Sequence, residues 1–315
     1  MTRQINELEK KVYAMRTKIT VAGLLLALAA FGAPHITAQQ DEDVRGAFMT
    51  TRPKTAPKTT PAKKPSRRRP KPKSVEASVT VTTVTPSSVA TEKTPKPRIG
   101  LGLTLFMRDS NGLAVRTDPS REFRKGDRVR VLAETNADGY LYIFNTTDGG
   151  KPVMIYPDPE LDEAGNYIQG HVPFEIPSSL AAEERLRWFT FDQNTGAEKL
   201  YFVFTREPLP GVPVEDELVA YCRGDAGKCP WSPGTGLWEQ IRKELNEPTM
   251  VAKSQSLGKP QTSGETQAAT RGIGLSKEDP EPSLIRLTTS TSKDMLVAPL
   301  DLNHKAQIGA SPQKP

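Results

Sequence analysis

The stretch Asp138-Gly139-Tyr140-Leu141-Tyr142-Ile143-Phe144-Asn145 decides the fold. In an extended chain successive side chains point to opposite sides, so Tyr140, Tyr142 and Phe144 share one face while Leu141 and Ile143 share the other. A strand apolar on both faces belongs in the middle of a sheet that is covered on both sides. Asn136-Ala137-Asp138-Gly139 turns the chain into this strand, and Asp148-Gly149-Gly150 turns it out towards Val153 to Tyr156, a hairpin signal. Upstream, Leu101, Leu103 and Leu105 alternate with Gly102, Thr104 and Phe106 from Ile99 onward. Val129, Val131 and Ala133 repeat that period after the turn Lys125-Gly126-Asp127.

Downstream, Trp188-Phe189-Thr190-Phe191 and Leu200-Tyr201-Phe202-Val203-Phe204 flank Asn194-Thr195-Gly196 and read as a second, aromatic hairpin. Helical spacing appears at Val214 to Tyr221 and again at Gly236 to Leu245, where Leu237, Ile241 and Leu245 lie four apart and Thr235 is placed to cap. Lys253 to Pro282 is rich in Gly, Ser, Thr, Gln, Lys and Glu and reads as a flexible segment or long loop. Met295 to Leu302 is apolar enough for a strand, with Pro299 implying an edge or a bulge. The fold class expected is mainly β, an antiparallel β-sandwich or barrel-like domain with one or two short helices, preceded by a disordered basic Pro-rich linker.

At the N-terminus, Arg16 and Lys18 precede an apolar run from Ile19 to Phe31 that closes on small residues through Ala38, the layout of a secretory signal. The run is short of the roughly 20 apolar residues a membrane span needs. Cleavage is expected after Ala38, leaving Gln39 first, because a cut after Ala33 would place Pro34 next. An uncleaved signal anchor is the alternative, and Met15 is an alternative start because Met1 to Ala14 are polar.

The 28 prolines of the 315 residues are segregated. Between Thr50 and Arg98 the composition collapses to Pro, Lys, Arg, Thr, Ser and Val, with Lys63, Lys64, Arg67, Arg68, Arg69, Lys71 and Lys73 at its centre and only Glu76 and Glu92 opposing them. Such a segment cannot bury a core. Its basic residues outnumber the chain's formal net charge of +6, so the remainder is close to neutral or slightly acidic. Lys and Arg at this density bind phosphate-rich or carboxylate-rich polymers in a salt-sensitive way. Export makes anionic lipid headgroups or wall polymers the accessible partners, not nucleic acid, and a plain spacer stands beside them. At 3.1 Å per residue in polyproline II, a tract of this size reaches at most roughly 150 Å.

Cys222 and Cys229 flank a glycine-containing loop, and in an oxidising compartment they read as a local disulfide. No Cys-x-x-Cys or neighbouring histidine supports a redox or zinc role. Beyond the signal the only histidines are His171 and His304, neither in a nucleophile motif, and His171 reads as a surface or packing residue before it reads as a general base. Nucleophile-elbow, zinc-protease and P-loop motifs are missing, so no catalytic residue and no cofactor are expected. Asp158, Glu160, Asp162 and Asn166 make an oxygen-rich loop that suits calcium, though its spacing is not that of an EF-hand and a solvated loop explains it as well. The aromatics of the strands read as core, with a ligand platform as the alternative.

Gly139-Tyr140-Leu141-Tyr142, Asp148-Gly149 and Tyr156-Pro157, continued by Phe191-Asp192, Gly196-Ala197-Glu198-Lys199-Leu200 and Phe204 to Leu209, resemble the bacterial exported domain-of-unknown-function family 4384 over about residues 99–209. Asp158 stands where that family more often has Asn. The resemblance implies an exported or envelope β domain, sometimes appended to signalling or peptidase modules. It carries no catalytic residue across.

The organisation expected is a signal peptide over 1–38, a linker over 39–98, a β domain over 99–209, a short helical Cys-containing extension over 210–252, a flexible segment over 253–283, and a closing strand and tail over 284–315. The function expected is a non-catalytic β module of the bacterial cell envelope, periplasmic or extracellular, that binds or assembles with an envelope protein. Two alternatives stay open: a hydrolase or other enzyme with an unrecognised carboxylate-based site, and binding of an anionic wall polymer or membrane surface through residues 50–98.

Overall fold

The alternating apolar segments around Leu101–Leu105, Val129–Ala133 and Tyr140–Phe144 form strands, and among the described residues the computed structural model assembles thirteen strands into two sheets. It describes residues 35–55, 96–159, 165–224, 229–254 and 256–305. The chain divides into two compact units, Met1–Asp43 and Val44–Pro315. Of the first, only 35–43 are described, as the opening of helix α1 (His35–Met49).

One sheet, A, has the path β11 (Thr249–Lys253), β12 (Leu284–Thr288), β1 (Gly100–Arg108), β4 (Arg128–Thr135) and β8 (Phe174–Ile176), with β2 (Ala114–Arg116) pairing β1 and β9 (Phe189–Thr190) pairing β4. The other, B, has the path β3 (Glu122–Phe123), β13 (Met295–His304), β10 (Gly196–Thr205), β5 (Gly139–Thr147) and β6 (Val153–Tyr156), with β7 (Tyr167–Ile168) pairing β5. All described pairings are antiparallel except β3 with β13. Of the two forms expected, an antiparallel sandwich or a barrel-like fold, the described strands form two separate sheets, one of them with a single parallel pairing.

Side-chain alternation sets the layers. Leu101, Leu103, Leu105, Val129, Val131 and Ala133 of sheet A meet Leu141, Ile143, Phe202, Phe204, Leu296 and Ala298 of sheet B in the central core. The opposite faces are also buried. On sheet B, Tyr140, Tyr142, Phe144, Tyr201 and Val203 are covered by Leu218 of α2 (Glu215–Gly224) and Ile241 of α3 (Thr235–Leu245). On sheet A, Phe106 and Leu132 meet Ala269 of α4 (Ser263–Arg271), and Ile285 and Leu287 meet Val44 and Phe48 of α1. Strand β5 is therefore apolar on both faces because it is central and covered, as its sequence requires.

Four expectations need correction. The aromatic segments 188–191 and 200–204 are not a hairpin: β9 pairs β4 in sheet A while β10 lies between β5 and β13 in sheet B. Aromatic richness reports burial and cannot assign a strand to one of two sheets. The segment 253–283, expected to be flexible, holds α4, whose capping box joins Thr262 and Glu265 and whose end is closed by left-handed Gly272. Its apolar contribution is only Ala268 and Ala269, too small to register as a hydrophobic period. The linker expected over 39–98 does not start at 39, because α1 runs through the expected cleavage position Ala38 to Met49 and buries Val44 and Phe48. Finally, the N-cap of α3 is Gly234, and Thr235 is its first helical residue. Pro299 fits its edge reading: β3 pairs β13 only at Asn303 and His304, leaving the flank beside Pro299 unpaired among the described residues.

Candidate functional site

At one end of the sandwich the inner face of sheet B changes character. Along β5 the inward residues run Leu141, Ile143, then Asn145 and Thr147; along β10 they run Phe204, Phe202, Leu200, then Glu198; along β13 they end Leu300, Leu302, His304. A cavity of about 520 Å³ lies there, walled by Val129, Ile155, Phe189, Phe191, Leu200 and Leu302 and rimmed by Asn145, Thr147, Asp192 and Glu198. That volume suits a small-molecule site. The Glu198 carboxylate is held by the Asn145 amide at 2.9 Å and by the Thr147 hydroxyl at 2.9 and 3.0 Å. Asp192 is fixed by the backbone N–H and side-chain amide of Asn194 at 2.7 and 2.8 Å. His304 is buried against Phe191, ring centroids 5.0 Å apart, and its Nε2 has no hydrogen-bond partner among the described residues.

The turns that build this rim interlock. Asp148 and Gly149 have φ of 51° and 69°, the left-handed pair that a tight hairpin requires, and Gly150 N–H closes the turn on Thr147 O at 2.9 Å. The Asp148 carboxylate accepts from Ala197 N–H at 2.8 Å, and a Cβ at Gly196 would come within 2.9 Å of it. The acidic-glycine turn and the Gly-x-Glu turn thus touch, and together they aim Glu198 at the cavity. Residues 122–208 match the family model described as Domain of unknown function (DUF4384). No curated protein and no solved structure matches the chain. The DUF4384 segment runs from β3 to β10, so the sandwich is completed by β1 before it and by β12 and β13 after it.

Buried charge is concentrated on the outer face of sheet A, where β4 alternates Arg130, Leu132 and Glu134. Arg52, just past α1, inserts its guanidinium onto Glu134: Nε and Nη2 donate to the two carboxylate oxygens at 2.8 and 2.5 Å. Its remaining contacts go to the carbonyls of Ser276, Asp279 and Pro280 at 3.0 to 3.2 Å. Arg116 of β2 pairs with Glu265 of α4 and lies over the Phe106 ring. Arg130 stacks over Trp188 at 4.1 Å and faces Glu175 at 3.6 Å, and burial lowers its pKa. Two of the three pairs tie covering segments to the sheet; the third ties β4 to β8.

His171 joins the first cluster, where Nδ1 meets Glu134 Oε1 and Nε2 meets Thr51 Oγ1, each at 2.7 Å. Hydroxyl, imidazole and carboxylate in that order resemble a nucleophile-activating relay. Nδ1 faces a carboxylate, which only accepts, so Nδ1 is the donor there, while the Thr51 hydroxyl lies within hydrogen-bond reach of both Nε2 and Phe48 O, at 2.7 and 2.8 Å. His171 is buried, not at the surface, and is set edge-on to Phe48.

Cys222 and Cys229 are bonded, Cα atoms 5.3 Å apart. For the calcium reading, Glu160 and Asp162 lie outside the described residues. Asp158 follows Pro157, while Asn166 is buried and its carbonyl accepts from Leu141 N–H. Among the described residues no group of three or more metal-ligating side chains forms. Lys63, Lys64, Arg67, Arg68, Arg69, Lys71 and Lys73 lie outside the described residues. Sequence reading missed Glu198 and His304 as cavity residues. The available signal was polar residues at inward positions, visible only once the strand pairing is known.

Proposed function

We propose that the chain is an exported, non-catalytic β-sandwich module of the bacterial cell envelope that recognises a protein partner. The observation that carries this reading is the use made of buried charge: Arg52, Glu134, His171, Arg116, Glu265, Arg130 and Glu175 hold elements of the fold together. The Cys222–Cys229 disulfide and the signal-like run Ile19 to Phe31 support export, with Gln39 as the first mature residue. Among the described residues no helix is long and apolar enough to cross a membrane.

A second reading, contact with an anionic polymer or membrane surface through the basic segment, is favoured by one feature. Residues 55 and 96, the described flanks of the basic segment, both belong to the unit Val44–Pro315, so the segment that carries the Lys and Arg residues leaves and rejoins the chain at that unit.

The test is cross-linking capture from envelope extract, comparing the chain from Gln39 with the same chain lacking 56–95. One specific partner retained by both supports the sandwich as the recognising part; loss on deletion transfers recognition to the basic loop. Turnover of any member of an ester, peptide and glycoside panel by the pure chain overturns the non-catalytic reading.

A further inference from the structure

We propose that the cavity at the polar end of the sandwich binds an organic cation, an apolar body carrying an ammonium or guanidinium head, a property that goes beyond partner recognition. Its walls are apolar, and among the described residues its acidic lining residues are Asp192 and Glu198; neither Lys nor Arg lines it. Of the cations adjacent in sequence to lining residues, Lys199 meets Asp301 at 3.1 Å and Arg128 meets Glu184 at 4.0 Å, and Lys305 follows His304. An acidic group at the edge of a low-dielectric cleft attracts a cation more strongly than it would in water.

The hydrogen-bonding inventory selects the same chemistry. Asn145 donates through Nδ2 to Glu198, which fixes its Oδ1 as an acceptor, and that oxygen is buried without a partner among the described residues. His304 Nε2 is likewise buried and unpartnered among the described residues. Buried polar atoms left unpaired cost stability, so two of them in the lining of one cavity mark a place where polar partners belong. Glu198 keeps acceptor capacity beyond the hydrogen bonds it receives, since a carboxylate has about four lone-pair sites. An N–H-rich head donates to Asn145 Oδ1 and Glu198, and Phe189 and Phe191 line the same cavity to meet an apolar or cationic ligand through their rings.

Two sources present this chemistry, a free amine and a Lys or Arg side chain of a peptide. The experiment is an amide NMR titration of the chain from Gln39, which keeps the whole sandwich unit, with 2-phenylethylamine, with a capped Phe-Arg dipeptide amide, and with the neutral and anionic controls 2-phenylethanol and phenylacetate. Saturable shifts at Phe189, Phe191 and Leu302 with either cation are expected, weakened tenfold or more in Glu198→Gln and reduced by salt; the tighter of the two cations identifies the source. Equal binding of 2-phenylethanol, or unchanged amine affinity in Glu198→Gln, overturns the proposal. Should that variant melt early, Asp192→Asn, at an exposed position, carries the same test: a severalfold loss is expected, and no loss in it together with salt-independent binding overturns the proposal. Neither result bears on partner capture, which is read by cross-linking.

Discussion

Replacing Arg52 by Met is expected to destabilise the chain more than any other single change at its N-terminal flank. The guanidinium makes five hydrogen bonds, two to Glu134 and three to the carbonyls of Ser276, Asp279 and Pro280, and both partners of the ion pair are almost fully buried. Removing it leaves Glu134 in a dry site with His171 as its remaining side-chain partner. Breaking a buried pair from one side costs about 3–5 kcal/mol, because the surviving charge keeps its desolvation penalty. At about 2–4 °C per kcal/mol for domains of 150–250 residues, the melting temperature should fall by roughly 6–20 °C. The assay is thermal unfolding by circular dichroism of Arg52→Met, Glu134→Gln and the double variant. The double variant should recover much of the loss, because the stranded charge has gone. A melting temperature within 2 °C of the parent for Arg52→Met would refute the reasoning and remove residues 44–55 from the folding unit.

Three further outcomes follow from the packing. Tyr142 is buried under α2 and α3 and its hydroxyl accepts from Leu209 N–H at 2.9 Å; burial raises its pKa, opposed by the hydrogen bonds to Leu209 and Asn166. The unfolded chain therefore ionises this tyrosine first, so its contribution to stability is full below about pH 10 and is lost as pH rises through the folded value; an alkaline unfolding series should show a slope that Tyr142→Phe removes, at a neutral-pH loss of about 1–3 kcal/mol for the unpaired Leu209 amide. Gly139→Ala would put a Cβ 2.4 Å from Thr205 O and 2.6 Å from the Phe204 ring, so a loss at or above the usual 1–3 kcal/mol for overpacking is expected in a denaturant titration. Cys222→Ser with Cys229→Ser should lower stability by about 2–3 kcal/mol, as the chain-entropy model gives for so short a loop, and adding reductant to the parent should reproduce the loss.

What the sequence made legible was whatever a period of two could encode. The Leu101 to Leu105 run, Val129 to Ala133 and Tyr140 to Phe144 are long, regular and bounded by glycine turns, and they became β1, β4 and β5. Two features were opaque for different physical reasons. Strand partners are set by long-range pairing: 199↔301 and 145↔200 link segments far apart, and no local pattern distinguishes them from a 190↔200 hairpin. The covering segment 263–271 docks through Glu265 and small alanines, and 44–55 through Arg52 and only two large apolar side chains, Val44 and Phe48, so their composition looks solvated although they are buried. The same holds for the cavity: Glu198 and Asn145 are ordinary strand polar residues until register places them on the inner face of sheet B.

The topology of the basic segment can be settled by a stability measurement. Its near end is held by Arg52 in the cluster with Glu134; its far end is held where Arg206 donates to Pro97 O and Arg98 Nη1 reaches Met250 Sδ at 3.4 Å. The 40 residues from 56 to 95 therefore join two anchored flanks of one unit, and the expectation tested is that they close a loop on it. Even as extended polyproline II, such a loop reaches no further than about half its contour, roughly 60 Å from its anchors. A one-ended tether can be cut without effect on the fold, whereas shortening a closed loop reduces the entropy lost on folding by about (3/2)RT times the logarithm of the length ratio. Replacing the 40 residues by a ten-residue Gly/Ser connector should then stabilise the chain by roughly 1 kcal/mol, or about 2–4 °C in melting temperature. The same deletion should abolish salt-sensitive retention on anionic vesicles if the loop makes that contact. An unchanged melting temperature with the connector in place would mean that the segment is not closed on the sandwich in solution, and the tether reading would return with its full reach.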